Sequence, residues 1–211
     1  MSIIPEDVDL QNMGKSSLIE IIKSLKTELT KKNDDFMRLT NLRLYHLERS
    51  HNMYLQYNRR ESFEISGIPS SIPQEKLEDE IVQIAKDAKV LVNGQPLNKS
   101  EIVACHRVGK KEKVICRVIN RKYAREIIIN SKNLKNNKRY GNSKIFVNNS
   151  FCPEFGFLNY VCRKAVREKE IHRLKVKNGI NLVQREEGGS FIEIGHVMDL
   201  QNLGITVPSR D

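Results

Sequence analysis

The sequence predicts an α+β protein in three parts: an N-terminal coiled-coil helix, a β-α-β-β-α-β unit and a small α/β C-terminal unit. Three observations lead there. Residues 15–58 contain neither proline nor glycine and repeat their apolar side chains at three- and four-residue steps. From Ser62 the hydrophobic period changes to two, and strand and helix patterns then alternate as far as Asn149. Beyond Pro153 a helical pattern is followed by an Asn-Gly hairpin signal.

Residues 1–14 carry no periodicity and are expected to be disordered. Residues 15–60 form the coiled coil. Leu18, Ile22, Leu25, Leu29, Phe36 and Leu39 lie on one heptad seam if Lys32 fills one of its positions. The stripe is too narrow for a globular core and suits a partner helix, so self-association is expected. A second phase, Leu44, Leu47, His51 and Tyr54, is offset by one residue and marks a kink or a change of winding.

Within residues 61–150, FEISGIP reads as a strand closed by Gly67 and Pro69. Pro73 opens a helix with Leu77, Ile81, Ile84, Ala85 and Ala88 on one face. Val92 to Lys99 reads as a loop. EIVACHRVG and KVICRVI are two strands joined by a basic turn, and a helix over 120–135 presents Ala124, Ile127, Ile128 and Leu134. The strand KIFVNN completes a split βαβ order, with both helices on one face of a four-stranded antiparallel sheet. Residues 151–204 supply the last unit: a helix over 153–170, the hairpin around Asn178-Gly179, the strand FIEIG and a short helix from His196 to Leu203. Residues 205–211 are expected to be a frayed tail.

Between Val103 and Lys144 stand thirteen Lys or Arg residues against Glu112 and Glu126, while the whole chain carries only +10. Positive charge held on a folded scaffold makes a fixed electropositive surface, and a nucleic-acid backbone is its natural partner. Other chemistry is sparse. No run approaches the roughly 18 apolar residues of a membrane span. Met1 to Asn12 is acidic, and no secretory leader is expected. Cys105, Cys116, Cys152 and Cys162 lack metal-ligand spacing and are expected as reduced, partly buried thiols. Gly14-Lys15-Ser16 mimics the end of a phosphate-binding loop, but no strand precedes it and Asp9 stands where the first glycine belongs. Cys105 and His106 are adjacent on a strand and point to opposite faces. No catalytic constellation assembles, so neither an enzyme, a cofactor, a metal site nor a small-molecule substrate is expected.

The three-part layout resembles the first-open-reading-frame protein of long interspersed (non-LTR) retrotransposons and, more distantly, the baculovirus few-polyhedra family. The resemblance rests on Arg59-Arg60 leading into FEISGIP, IVACHRVGK before KVICRVINR, the IFVNNSFCP junction, YVCRKAVREK and VKNGINLVQR. It implies a trimeric coiled coil, an RRM-like (ferredoxin-like) domain over 61–150 and a small C-terminal domain, bound to the element's own transcript. The segment Arg43-Leu44-Tyr45-His46-Leu47-Glu48 fits a trimer pattern, with Leu44 and Leu47 in the seam and Arg43 beside a neighbour's Glu48. One departure stands out. RRM domains stack bases on aromatics of their two central strands, but here Glu64 occupies one such position and VICRVI has no aromatic.

The expected function is an oligomeric, largely sequence-independent binder of single-stranded RNA or DNA that packages or chaperones a transcript. Its compartment would be intracellular, as a cytoplasmic ribonucleoprotein. The expected contacts are Arg107, Lys110, Lys111, Lys113 and Arg117 on the hairpin, with Arg59 and Arg60 at the hinge. Arg121, Lys122, Arg163, Lys164 and Arg167 would line a cleft between the two folded units, because the linker Asn148-Asn149-Ser150 is too short to part them. The alternative is a coiled-coil adaptor, or few-polyhedra-like accessory protein, whose RRM-like fold binds protein.

Overall fold

The computed structural model describes residues 14–109, 113–135, 139–141 and 144–209. The chain is of mixed α+β class, a long N-terminal helix followed by antiparallel sheets and several helices. It divides into two compact units, Met1–Glu48 and Arg49–Asp211. The segment expected to be disordered lies almost wholly outside the described residues.

In the first unit the described residues belong to helix α1 (Lys15–Tyr57), whose last turns fall in the second unit. Its seam is bare. Leu29 is 70% exposed and Leu47 69%, with Ile22, Phe36, Leu39 and Leu44 also exposed and Leu18 half-buried. Glu28 and Lys32 pair at 3.0 Å on the helix surface. Among the described residues no helix is long and apolar enough to cross a membrane.

In the second unit, strands β1 (Ser62–Ser66), β4 (Ile102–Val108), β5 (Lys113–Val118) and β6 (Phe146–Asn149) form an antiparallel sheet in the order β4-β5-β1-β6. Register pairs Glu64 with Ile115 and Asn148, so these three share a face, while Phe63 and Ile65 alternate with them and are fully buried. Helices α2 (Leu77–Asp87) and α3 (Arg121–Asn130) cover the buried face. Leu77, Ile81 and Ile84 from one and Tyr123, Ala124 and Ile127 from the other pack on Phe63, Ile65, Val114 and Val118. Asn120 caps α3 by accepting a hydrogen bond from the Lys122 amide at 2.9 Å.

Three expectations change here. The helix after Pro73 starts with one 3₁₀ turn, Gln74–Lys76. The segment 92–99, expected to be a loop, contains the hairpin β2 (Leu91–Val92) and β3 (Gln95–Pro96), turned by Asn93 and Gly94 at positive φ. The helix expected over 120–135 ends at Asn130 and tightens to a 3₁₀ turn over Ser131–Leu134.

The C-terminal part has its own core. Helix α4 (Pro153–Arg167) buries Leu158, Val161, Cys162 and Ala165 against Val183 of strand β8 (Ile180–Gln184) and Ile194 of β9 (Phe191–Ile194), with β7 (Arg173–Lys177) completing the sheet. Helix α5 (Val197–Asn202) closes it through Leu200. The helix expected to run to residue 170 stops at Arg167, where Lys169 takes a positive φ and swings Ile171 into the core. Within the tail expected to fray, the described residues 205–209 are in part packed. Ile205 is buried, its amide donates to Leu200 O, and Val207 packs on the same cluster.

The end of α1 fastens these parts together. Gln56 is fully buried; its amide donates to Ser150 O at 3.0 Å and its carbonyl accepts from the Cys152 amide at 3.0 Å. Met53 packs beside Cys152, Phe155 and Ile180. Arg49 meets Asp199 at 3.2 Å and Glu193 at 3.4 Å, and Asn52 donates to Gly195 O.

Candidate nucleic-acid interface

The uncovered face of the four-stranded sheet is the first place to look. Its two central strands present Ser62, Glu64 and Ser66 from β1 and Lys113, Ile115 and Arg117 from β5. None is aromatic, so bases have no stacking platform there. Its cations are occupied as well. Lys113 pairs with Glu64 at 2.7 Å and Arg117 with Glu61 at 3.1 Å.

A cleft of about 650 Å³ lies elsewhere, where α3, the entry to β1 and the β7–β8 hairpin converge. The N-terminal side of the cleft supplies Arg59 and Arg60. Helix α3 supplies Arg121, Lys122 and Arg125 from successive exposed positions, and β7 supplies Lys175 and Lys177. Among the described residues no carboxylate lines the cleft and none of these seven cations forms an ion pair. Ile128, Ile129 and Val176 give it apolar wall. Like charges crowded together repel and concentrate the field in the concave surface, so the cleft favours a polyanion threaded through it.

The geometry of two residues sharpens this. The Arg60 guanidinium lies 4.5 Å above the Tyr57 ring, which fixes its plane, while its Nε–H is buried without an acceptor. An unpaired buried donor costs roughly 1–3 kcal/mol. Gly179 forms the rim at the β7–β8 turn with φ +77°; a Cβ there would come within 2.6 Å of Gln56 Nε2. The turn can therefore seat against Gln56 only with glycine, and that contact carries Lys175 and Lys177 to the cleft.

The sequence-predicted contacts divide accordingly. Arg59, Arg60, Arg121 and Lys122 line the cleft; Arg59 also reaches Ser150 Oγ at 3.4 Å. Arg107 is placed otherwise than expected: it lies on the covered side of the sheet and donates to the carbonyls of Ile68, Pro69 and Ile72 at 2.6–3.2 Å, pinning the loop after β1. Lys110 and Lys111 lie outside the described residues. Helix α4 does not reach the cleft with Arg163, Lys164 or Arg167. Arg163 Nε donates to Asn159 Oδ1 at 2.9 Å, extending the buried Asn159–Asn181 hydrogen bond, and Lys164 pairs with Glu168 at 3.7 Å. Arg125, Lys175 and Lys177 are the cleft cations that sequence reasoning missed. The alternation of RLKVK marks the two lysines as sharing one face of β7, but nothing local tells which face meets α3.

The thiols are shielded. Cys105 and Cys116 face each other across β4 and β5, and the hydrogen bond to Cys105, then burial, pushes the Cys116 thiol far up. Burial raises Cys162 to about 12. Neither forms a thiolate near neutral pH. Among the described residues no group of three His, Cys, Asp or Glu side chains could hold a metal ion. No protein-family model matches the chain, and no curated protein matches it.

Proposed function

We propose that this chain is an oligomeric, largely sequence-independent binder of single-stranded nucleic acid, RNA above all, with the strand lying in the cleft between α3 and the β7–β8 hairpin. The observation that carries the reading is a cleft lined by seven cations, with no ion pair to them and no carboxylate beside them among the described residues. Phosphates need cations on a fixed scaffold, and base identity goes largely unread where few groups address base edges. We read the four-stranded unit as an RRM-like domain on its strand order β4-β5-β1-β6 and its helices packed on one face. With the α1 seam, that arrangement supports kinship with the first-open-reading-frame proteins of non-LTR retrotransposons, packaging or chaperoning a transcript. The bare seam of α1 supports self-association, trimeric through Arg43 and Glu48, and several clefts per particle would raise avidity for one long strand. The adaptor reading is less favoured. A protein-binding RRM-like face has no use for a concave +7 site.

Salt titration tests the proposal. Seven cations each meeting one phosphate predict that log affinity for a single strand falls with log salt at a slope of about −5, from roughly −0.7 per neutralised phosphate. Affinity that stays flat between 50 and 200 mM salt would contradict the electrostatic mechanism.

A further inference from the structure

A second groove, of about 580 Å³, opens on the outer edge of the sheet between the 3₁₀ turn Ser131–Leu134 and β6. Strand β6 is an edge strand, with β1 as its one neighbour in the sheet. Lys132, Lys135 and Lys144 line the groove, no carboxylate does, and among the described residues none of the three forms an ion pair. Phe146 also lines it, 57% exposed, on the open face of the sheet beside Ser66. The cleft described above contains no aromatic among its lining residues, so this ring offers what the cleft lacks.

The groove and the cleft are continuous along the chain. Asn148 lines one and Asn149 the other; Ile129 lines the cleft and Ser131 the groove. A polyanion leaving the cleft over α3 would meet three further cations in this groove. We infer that the single strand held in the cleft continues along the edge of β6 into this groove and stacks a base on Phe146. The inference rests on the nucleic-acid reading of the cleft and adds its direction of exit and its one stacking contact. Single-strand binders combine a cationic track with aromatic platforms in this way, and such stacking tolerates any base because every base has a π-face. The sheet thus takes part through its edge strand instead of its two central strands, where Glu64 and Ile115 stand.

The chain contains no tryptophan, so Phe146→Trp installs a single fluorophore at the proposed contact. An end-labelled oligouridylate of about twenty nucleotides, within reach of the site sizes known for single-strand folds, is titrated into this variant. Anisotropy of the label reports binding, and tryptophan emission reports stacking. The expected result is binding with quenched emission. Phe146→Ala should weaken binding about 5- to 150-fold, and Lys132→Gln, Lys135→Gln and Lys144→Gln together should make the salt slope about 2 less steep. Rising anisotropy with unchanged emission, and an alanine variant that binds like wild type, would overturn the exit path while leaving the cleft in place. No anisotropy change with the wild-type chain would overturn the nucleic-acid reading itself. Emission quenched by polyglutamate and not by the oligonucleotide would make the groove a dock for acidic peptide and overturn the inference.

Discussion

Gln56 shows how one side chain sets the geometry of the cleft. Both ends of its amide are used inside the protein, on Ser150 O and the Cys152 amide, and its flank meets Gly179 at the hairpin turn. Gln56→Leu keeps the volume but leaves a buried N–H and a buried C=O unsatisfied, at roughly 1–3 kcal/mol each. The predicted outcome is a loss of about 2–6 kcal/mol in chemical denaturation, together with weaker single-strand binding, because Lys175 and Lys177 lose their seat. A variant as stable as wild type would show that the junction does not depend on this amide. Arg107 teaches the complementary lesson. It stands in the most basic stretch of the chain, yet its guanidinium is consumed by three carbonyls of the same domain. Charge density along a sequence says how many cations exist; only the fold says which are already satisfied.

Elements with a strong local period were legible in the sequence. The long helix α1, the alternation of β1 and β5, the Pro153 start of α4 and the Asn178-Gly179 turn each follow from residues near one another in the chain. The β2–β3 hairpin was not, because strands of two residues are too short to show alternation and only the Asn93-Gly94 pair signals them. The C-terminal side of the cleft was misassigned for a different reason. Helix α4 has an obvious basic stripe, but α4 is held by the Asn159–Asn181 hydrogen bond and the core around Leu158, and the hairpin it supports takes the place beside α3. Such packing is decided by contacts far apart in sequence, such as Gln56 with Ser150. For α1 the exposed seam makes its own prediction. Leu44→Asp with Leu47→Asp places charge where apolar side chains must meet, so the double variant should sediment as a monomer while the wild type self-associates at micromolar concentration. A wild-type monomer under those conditions would contradict the coiled-coil reading.

At the scale of the whole molecule, the proposed binding site is a cleft that two parts of the chain build together, instead of the sheet or a charge spread over the surface. Lys113 and Arg117 on the open sheet face are ion-paired and two of the three α4 cations, Arg163 and Lys164, are hydrogen-bonded or ion-paired, while among the described residues none of the seven cleft cations forms an ion pair. A matched pair of double charge reversals separates local from diffuse attraction. Arg125→Glu with Lys177→Glu alters the cleft; Arg163→Glu with Arg167→Glu alters α4 by the same net charge. Affinity of a labelled oligouridylate for each, at one ionic strength, is the most direct measurement. The cleft pair should lose about a hundredfold or more, from two charge-assisted contacts at roughly 1.5–3 kcal/mol each, and the α4 pair only a few-fold. Equal losses from the two pairs would mean that the attraction is diffuse and that the cleft is not the binding site.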